Sequence, residues 1–170
     1  ELAKLNIESQ FINGLRVTDK QTMMVVEKAL VDFNSEIIEK LKKKECKTAG
    51  LNVSQNNIFI VEQENVSLGF VGRPKKVLNE KIQTIIDQKQ IPIISPMGKD
   101  VEGEKYNINA DTAAASIAKS LKSRRLLLMT DVTGVYDKNK ELINEIKPAE
   151  AKNLIDKKIV EGGMIPKLLN

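Results

Sequence analysis

The sequence predicts an α/β protein with a largely parallel sheet. Three observations carry that prediction. Helix-length stretches with apolar residues at steps of three and four alternate with short extended runs, helix-opening residues stand ahead of several of those stretches, and neither an internal repeat nor a low-complexity linker breaks the alternation. Thr18 and Gln21 form a capping-box pattern, behind which Met23, Val26, Leu30, Phe33, Ile37 and Leu41 predict a long amphipathic helix over 19–44. "KTAGLNV" and "NIFIVEQ" read as strands parted by the turn-rich "SQNN", and "SLGFVGRPKKV" as another extended piece. Asn79 can cap a helix with Ile82, Ile85 and Ile86 on one face, and "IPIISPMG" then reads as a buried strand. Ala114, Ile117, Ala118 and Leu121 stripe a third helix. In "RRLLLMTDVTGVYD" the apolar run predicts a central strand that ends in a loop at Thr130. Pro148 suits the first turn of a further helix through "AEAKNLIDKK", and Gly162 and Gly163 stand ahead of a last helix start.

What is missing narrows the chemistry. The 170 residues include no histidine, which excludes imidazole acid–base catalysis, a Ser-His-Asp or Cys-His system and a His-ligated zinc. Cys46 is the single cysteine, so neither an internal disulfide nor a thiolate cluster can form, which is the usage of a reducing, cytoplasmic compartment. Lys, Arg, Asp, Glu, Asn and backbone N–H groups are left, and these are the tools for handling phosphate and carboxylate. The net charge is +4, but its lysines and glutamates interleave as on solvated helix faces, and an aromatic content of 4% leaves little to stack on bases, so nucleic acid is not an expected partner. No apolar run reaches membrane-spanning length, and "ELAKLNIESQ" has neither a basic start nor an apolar core for a signal.

In open α/β sheets ligands collect beyond the carboxyl ends of strands, where loops lead into helices. Three such loops are candidates: "YNINAD", "TDVTGVYD" and "EGGMIPK". The first is unusual, because Asn107, Asn109 and Asp111 crowd the start of a helix that one capping side chain would satisfy. In the last, Lys167 stands one turn beyond a glycine pair that lets backbone approach a phosphate. Each also has a plain structural reading. Asn109 or Asp111 can be a helix cap, Thr130, Asp131 and Gly134 an ordinary turn after a strand, and Lys167 one solvated lysine among many. Neither a Walker sequence nor GxGxxG occurs, which argues against a P-loop and against a nicotinamide dinucleotide fold.

Taken together, "FINGLRVTDKQTM", "LGFVG", "YNINADTAA", "LLLMTDVTGVYDK" and "GGMIPK", in this order, resemble the amino-acid kinase family over nearly the whole chain. The resemblance implies a three-layer αβα sandwich with a mainly parallel open sheet, of the carbamate kinase-like kind. It implies an amino-acid-binding lobe over residues 1–123 and an ATP-binding lobe over 124–170, both partial. The implied activity is ATP-dependent phosphorylation of the side-chain carboxylate of N-acetyl-L-glutamate, in arginine biosynthesis. Arg16 matches the arginine that binds the substrate carboxylate, and Asn107 and Asn109 match the asparagines that hold the acetylated amino acid. Asp111 matches the aspartate that organises the catalytic lysines, and Lys167 the lysine that stabilises the transferring phosphoryl group. Thr130, Asp131, Gly134, Tyr136 and Asp137 lie in the segment that resembles the nucleotide loop, with Gly162 and Gly163 beside the phosphates. Mg²⁺ is expected to be held mainly by the nucleotide phosphates and water, with no protein metal ligand. Family members assemble through the helix that matches 19–44, so a homo-oligomer, a dimer or a dimer-based hexamer, is expected.

Two departures qualify the resemblance. The lysine-glycine and Gly-Gly loops that open the family do not occur, and the chain stops soon after Lys167, so a partial enzyme is expected, one that can be inactive by itself. "GLNVSQNN" replaces a glycine- and lysine-containing hairpin and reads as drift in a peripheral turn. The rival readings are a kinase of the same fold for another amino acid and a non-catalytic binding or regulatory protein.

Overall fold

In the computed structural model, which describes residues 2–12 and 14–169, a short 3₁₀ turn over Ala3–Leu5 precedes an antiparallel hairpin of β1 (Phe11–Ile12) and β2 (Leu15–Arg16). Helix α1 (Lys20–Lys42) follows, but its cap is not the residue that the sequence pattern selects. Asp19 accepts the Thr22 backbone N–H at 2.7 Å, while the Thr18 hydroxyl donates to the Arg16 carbonyl at 3.0 Å. Thr18 is diverted by tertiary structure. It is fully buried, donates its backbone N–H to the Leu68 carbonyl, and accepts from the Phe70 N–H at 2.6 Å. Gly69 makes that approach possible, because at φ +68° a Cβ there would lie 2.3 Å from the Thr18 carbonyl oxygen.

The predicted strands are present as β3 (Thr48–Leu51), β4 (Phe59–Gln63) and β5 (Gly72–Val77). Helix α2 (Asn79–Asp87) leads to "IPIISPMG", which is two strands rather than one: β6 (Ile91–Ile94) and β7 (Met97–Lys99), parted at Ser95 and Pro96. Burial in it is uneven, with Ile91 49% exposed and Met97 enclosed. β8 (Lys105–Asn107) then runs into α3 (Ala110–Ser120). The strands order as β5-β4-β7-β8 in one sheet and β3-β6 in another. β3–β6 and β4–β7 pair in parallel, and β4–β5 and β7–β8 antiparallel, so the α/β architecture stands with a mixed sheet.

Two cores lie on opposite sides of these strands and make the layering. Ile82 of α2 and Ala113 of α3 pack with Leu51, Phe59 and Val61, and Met23 of α1 packs with Val53 and Met97. Fully burying a side chain such as Phe59 or Ile82 contributes about 1.5–3 kcal/mol. The face that α1 turns to the sheet is partly polar. Asn34 is buried and donates to the Ile93 carbonyl at 2.9 Å, whereas Phe33, expected on the apolar stripe, is 57% exposed. Met23, Glu27, Leu30 and Asn34 follow one another at steps of four, three and four, and Phe33 stands about 100° off that line.

Asn79 does not cap α2, whose N-cap is Leu78. Its amide instead donates to the Ser120 carbonyl at 3.0 Å and accepts the Ser120 hydroxyl at 2.8 Å, tying the start of α2 to the end of α3. The larger correction concerns "LLLM", which forms no strand. No described strand lies beside it to complete a ladder, and Leu127 is 80% and Met129 88% exposed. Residues 122–147 hold neither helix nor named strand. α4 (Pro148–Asp156) and α5 (Met164–Leu169) close the described chain, the first with proline in its opening turn as expected.

Candidate functional site

β8 ends at Asn107, whose backbone N–H is fixed on the Phe70 carbonyl at 2.9 Å. Two residues on, Asn109 caps α3, its Oδ1 accepting from the Thr112 N–H at 3.1 Å and the Thr112 hydroxyl at 3.3 Å. The capping reading therefore describes its oxygen. Its amide N–H₂ is the end left to donate outward. Asp111 is the second residue of the helix and has a different task. Lys167, from α5, donates to both of its carboxylate oxygens, at 2.8 and 2.9 Å. Both side chains are about one-fifth exposed, and the pair joins residues 56 apart in sequence. Each partner spares the other an uncompensated charge at a half-buried position.

Of the cavities that meet at this helix start, two hold the candidate residues. One, of about 580 Å³, is lined by Arg16, Asn107 and Asn109 together with Val25, Val26 and Ala29 of α1. Arg16 is oriented within it, since its guanidinium lies 4.7 Å above the Phe11 ring centre and donates to the Ser9 hydroxyl. The other, of about 440 Å³, is lined by Asp111, Lys167, Thr130, Asp131 and Gly163, and again by Asn109. Asn109 is thus a wall common to both. The hairpin turn and the glycine pair also touch: a Cβ on Gly14 would meet the Gly162 carbonyl oxygen at 3.1 Å. Arg16, Asn107, Asn109, Asp111, Thr130, Asp131, Gly162, Gly163 and Lys167 consequently gather around one stretch of surface.

Gly134, Tyr136 and Asp137 do not line the Lys167 cavity. They form a small hairpin of their own, where Tyr136 bridges to Leu142 and Asp137 accepts the Asn139 and Glu141 N–H groups, both at 2.8 Å. α5 is only six residues long, so positive charge beside Gly163 comes chiefly from Lys167 rather than from a helix dipole. Among the described residues no group of three His, Cys, Asp or Glu could hold a metal ion, and no helix is long and apolar enough to cross a membrane.

Sequence reasoning missed the supports. Ser9 and Phe11 brace Arg16, and Glu27 of α1 is bonded to Lys105 of β8 at 2.5 Å and to the Ser54 hydroxyl at 2.7 Å. Burial alone would push the Glu27 carboxyl up. The hydrogen bonds from Lys105 and Ser54 and the charges of Lys105 and Lys99 outweigh it and hold the group below its ordinary value. Separations of 78 and 27 residues leave no local signature for either contact.

Comparison with known proteins shows the family and the fold. The model of the amino acid kinase family matches residues 1–170. The chain is similar to acetylglutamate kinase of Pelagibacter ubique (strain HTCC1062), with 49% identity over 170 residues that make up all of this chain and 59% of the relative. It is similar to that of Caldicellulosiruptor saccharolyticus with 43% identity, covering 99% of this chain and 61% of the relative. The chain therefore spans about three-fifths of the length of the curated relatives it matches. Among solved structures, smu.665 from Streptococcus mutans UA159 superposes with a TM-score of 0.93 at 31% identity, over 98% of this chain and 69% of that one. N-acetylglutamate synthase from Neisseria gonorrhoeae, complexed with coenzyme A and N-acetyl-glutamate, shares the fold with a TM-score of 0.80 at 19% identity, over 98% of this chain and 38% of that one.

Proposed function

The chain belongs to the amino acid kinase family, and from that premise we propose that it carries the amino-acid site and part of the nucleotide site of an ATP-dependent kinase for the side-chain carboxylate of N-acetyl-L-glutamate. The observation that carries this reading is the Lys167–Asp111 pair standing across Asn109 from the cavity that holds Arg16. Such an arrangement puts a fixed cation where a phosphoryl group would arrive, and a planar bidentate donor where a carboxylate would bind. Asn107 and Asn109 supply uncharged amides, which donate to a bound anion without changing its charge.

A carboxylate is already a nucleophile, so the reaction needs no base, and a chain without histidine suits it. One carboxylate oxygen forms a bond to the γ-phosphorus while the bond to the β,γ-bridging oxygen breaks, giving an acyl phosphate and ADP. Two anions have to be brought together, and positioning with fixed positive charge meets that demand. Lys167 neutralises charge on the phosphoryl oxygens, and Asp111 holds Lys167 in place. Thr130, Asp131, Gly162 and Gly163 face the nucleotide phosphates, with Gly134, Tyr136 and Asp137 in the loop beyond. Mg²⁺ would be held mainly by the nucleotide phosphates and water and would supply further charge neutralisation when bound.

On this reading residues 1–123 serve the amino acid and 124–170 the nucleotide, the pathway is arginine biosynthesis, and the enzyme is cytoplasmic. A second copy would pack on α1, where Phe33 leaves an apolar ring 57% exposed. The test is ADP release by the full-length parent protein, measured with N-acetylglutamate, glutamate and aspartate as acceptors. Release dependent on N-acetylglutamate alone is expected. Equal release with glutamate would move the assignment to another kinase of the fold, and saturable binding without release would leave a binding protein.

A further inference from the structure

The cavity that holds Arg16 lies between two walls, one made by Val25, Val26 and Ala29 on α1 and the other by Asn107 and Asn109 at the end of β8. Glu27 and Lys105 do not line it themselves but belong to the two elements that carry its walls. Glu27 falls within the same turns of α1 that form the first wall. Lys105 is two residues before Asn107 on β8, so both side chains leave the same face of the strand, about 7 Å apart along it. The Glu27–Lys105 bond at 2.5 Å therefore ties α1 to β8, the two elements that carry the walls.

We propose that Glu27 and Lys105, braced by Ser54, are positioning residues that fix the separation of α1 from β8 and thereby the placement of Asn107 toward the bound amino acid. The inference rests on the reading of that cavity as the amino-acid site. Three features make the pair a strut rather than a surface contact. Both side chains are about two-thirds or more covered, at 35% and 23% exposure, so the bond is shielded from the solvent that weakens exposed pairs. Further ties hold the same helix to the sheet region, since the Ser95 hydroxyl donates to the Leu30 carbonyl at 3.4 Å and Asn34 to the Ile93 carbonyl at 2.9 Å, and the Glu27–Lys105 bond is the tie that reaches β8. Finally, Ser54 is delivered by a built turn. Asn52, itself buried, accepts the Ser54 and Gln55 N–H groups at 3.1 and 3.0 Å, and the Ser54 hydroxyl then donates to Glu27. The turn "NVSQ", read from sequence as drift, thus has a task in this chain.

The decisive variants are Lys105→Met, which keeps the stem and removes the charge, and Lys105→Arg, which restores a donor. In the full chain, N-acetylglutamate affinity is measured by calorimetry alongside ATP affinity, and amide exchange is followed by NMR. Lys105→Met should bind N-acetylglutamate about tenfold more weakly with ATP affinity unchanged, one lost charge-assisted contact being worth that much. The Asn107 and Ile108 amides, bonded to the Phe70 and Pro96 carbonyls, should exchange faster, while the Ile91 and Ser95 amides keep the parental rate. Lys105→Arg should recover both readouts. Parental exchange at Asn107 in Lys105→Met would overturn the strut. If the parent itself fails to bind N-acetylglutamate, the functional reading falls, and the exchange rates still decide whether Lys105 places Asn107.

Discussion

Phe59 and Leu127 are both large apolar residues inside runs that read as strands, yet the first is wholly buried and the second 80% exposed. The difference lies in their neighbours. β4, which carries Phe59, has β5 on one side and β7 on the other, and α2 and α3 pack over it. Leu127 has no described strand beside it, and no residue from 114 to 150 is buried. Apolar patterning states what a segment gains by burial; a ladder partner decides whether it becomes a strand.

The largest expected effect tests that contrast directly. Phe59→Ala should cost about 3–5 kcal/mol, since it opens a cavity in the main core. Leu127→Ala should stay within about 0.5 kcal/mol of the parent, as exposed substitutions do. Urea unfolding of the two variants side by side is the measurement. Comparable losses would mean that the 124–130 segment packs as firmly as the sheet, and the contrast would be lost.

A second contrast is expected in kinetics, because Arg16 of β2 and Lys167 of α5 are proposed to serve different parts of the site. In the full-length parent protein, Lys167→Ala should lower kcat by about 10²–10³-fold, the usual cost of removing a group that stabilises developing charge, with the KM for N-acetylglutamate unchanged. Arg16→Ala should act the other way, weakening amino-acid binding by about 2–4 kcal/mol with a smaller change in kcat. Steady-state kinetics on both acceptor and nucleotide separates the two. A Lys167 variant as active as its parent would remove the proposed role of the Asp111 pair.

Which parts were legible in the sequence follows from the range of the forces involved. α1, α3 and α4 could be read because a period of 3.6 and a helix-opening proline are local properties. The caps were misread where tertiary contacts claimed the expected side chains: Thr18 is taken by the bridge to Gly69, and Asn79 by Ser120. Strand existence was legible for β3 to β5, but the break of "IPIISPMG" at Ser95 and Pro96 was not. Of the candidate site, the loops could be identified through their resemblance to a family, and the structure places Asp111 against Lys167 and Asn109 between two cavities. Glu27, Lys105 and Ser54 were out of reach, because an ion pair between distant positions leaves no mark on either local stretch.

The smallest effect sharpens the comparison most, because it uses the same chemistry in each region. Lys122 stands just past the end of α3 at φ +52°, and Lys140 sits in the 135–143 hairpin at φ +64°. A left-handed conformation costs a non-glycine residue about 1–2 kcal/mol, and the greater freedom of glycine in the unfolded chain returns up to about 1 kcal/mol of any relief. A glycine substitution should therefore gain on the order of 0.5–1 kcal/mol wherever the residue's conformation is lost in the global unfolding step. Lys122 meets that condition, because α3 carries Ala113 into the main core and its end is tied to Asn79. Lys140 does not, since its hairpin has no buried residue and can open by itself. Lys122→Gly should raise the thermal midpoint and Lys140→Gly should leave it in place, although both relieve the same strain. Equal gains would show that residues 122–147 unfold together with the sheet, and the two regions would then be one cooperative unit.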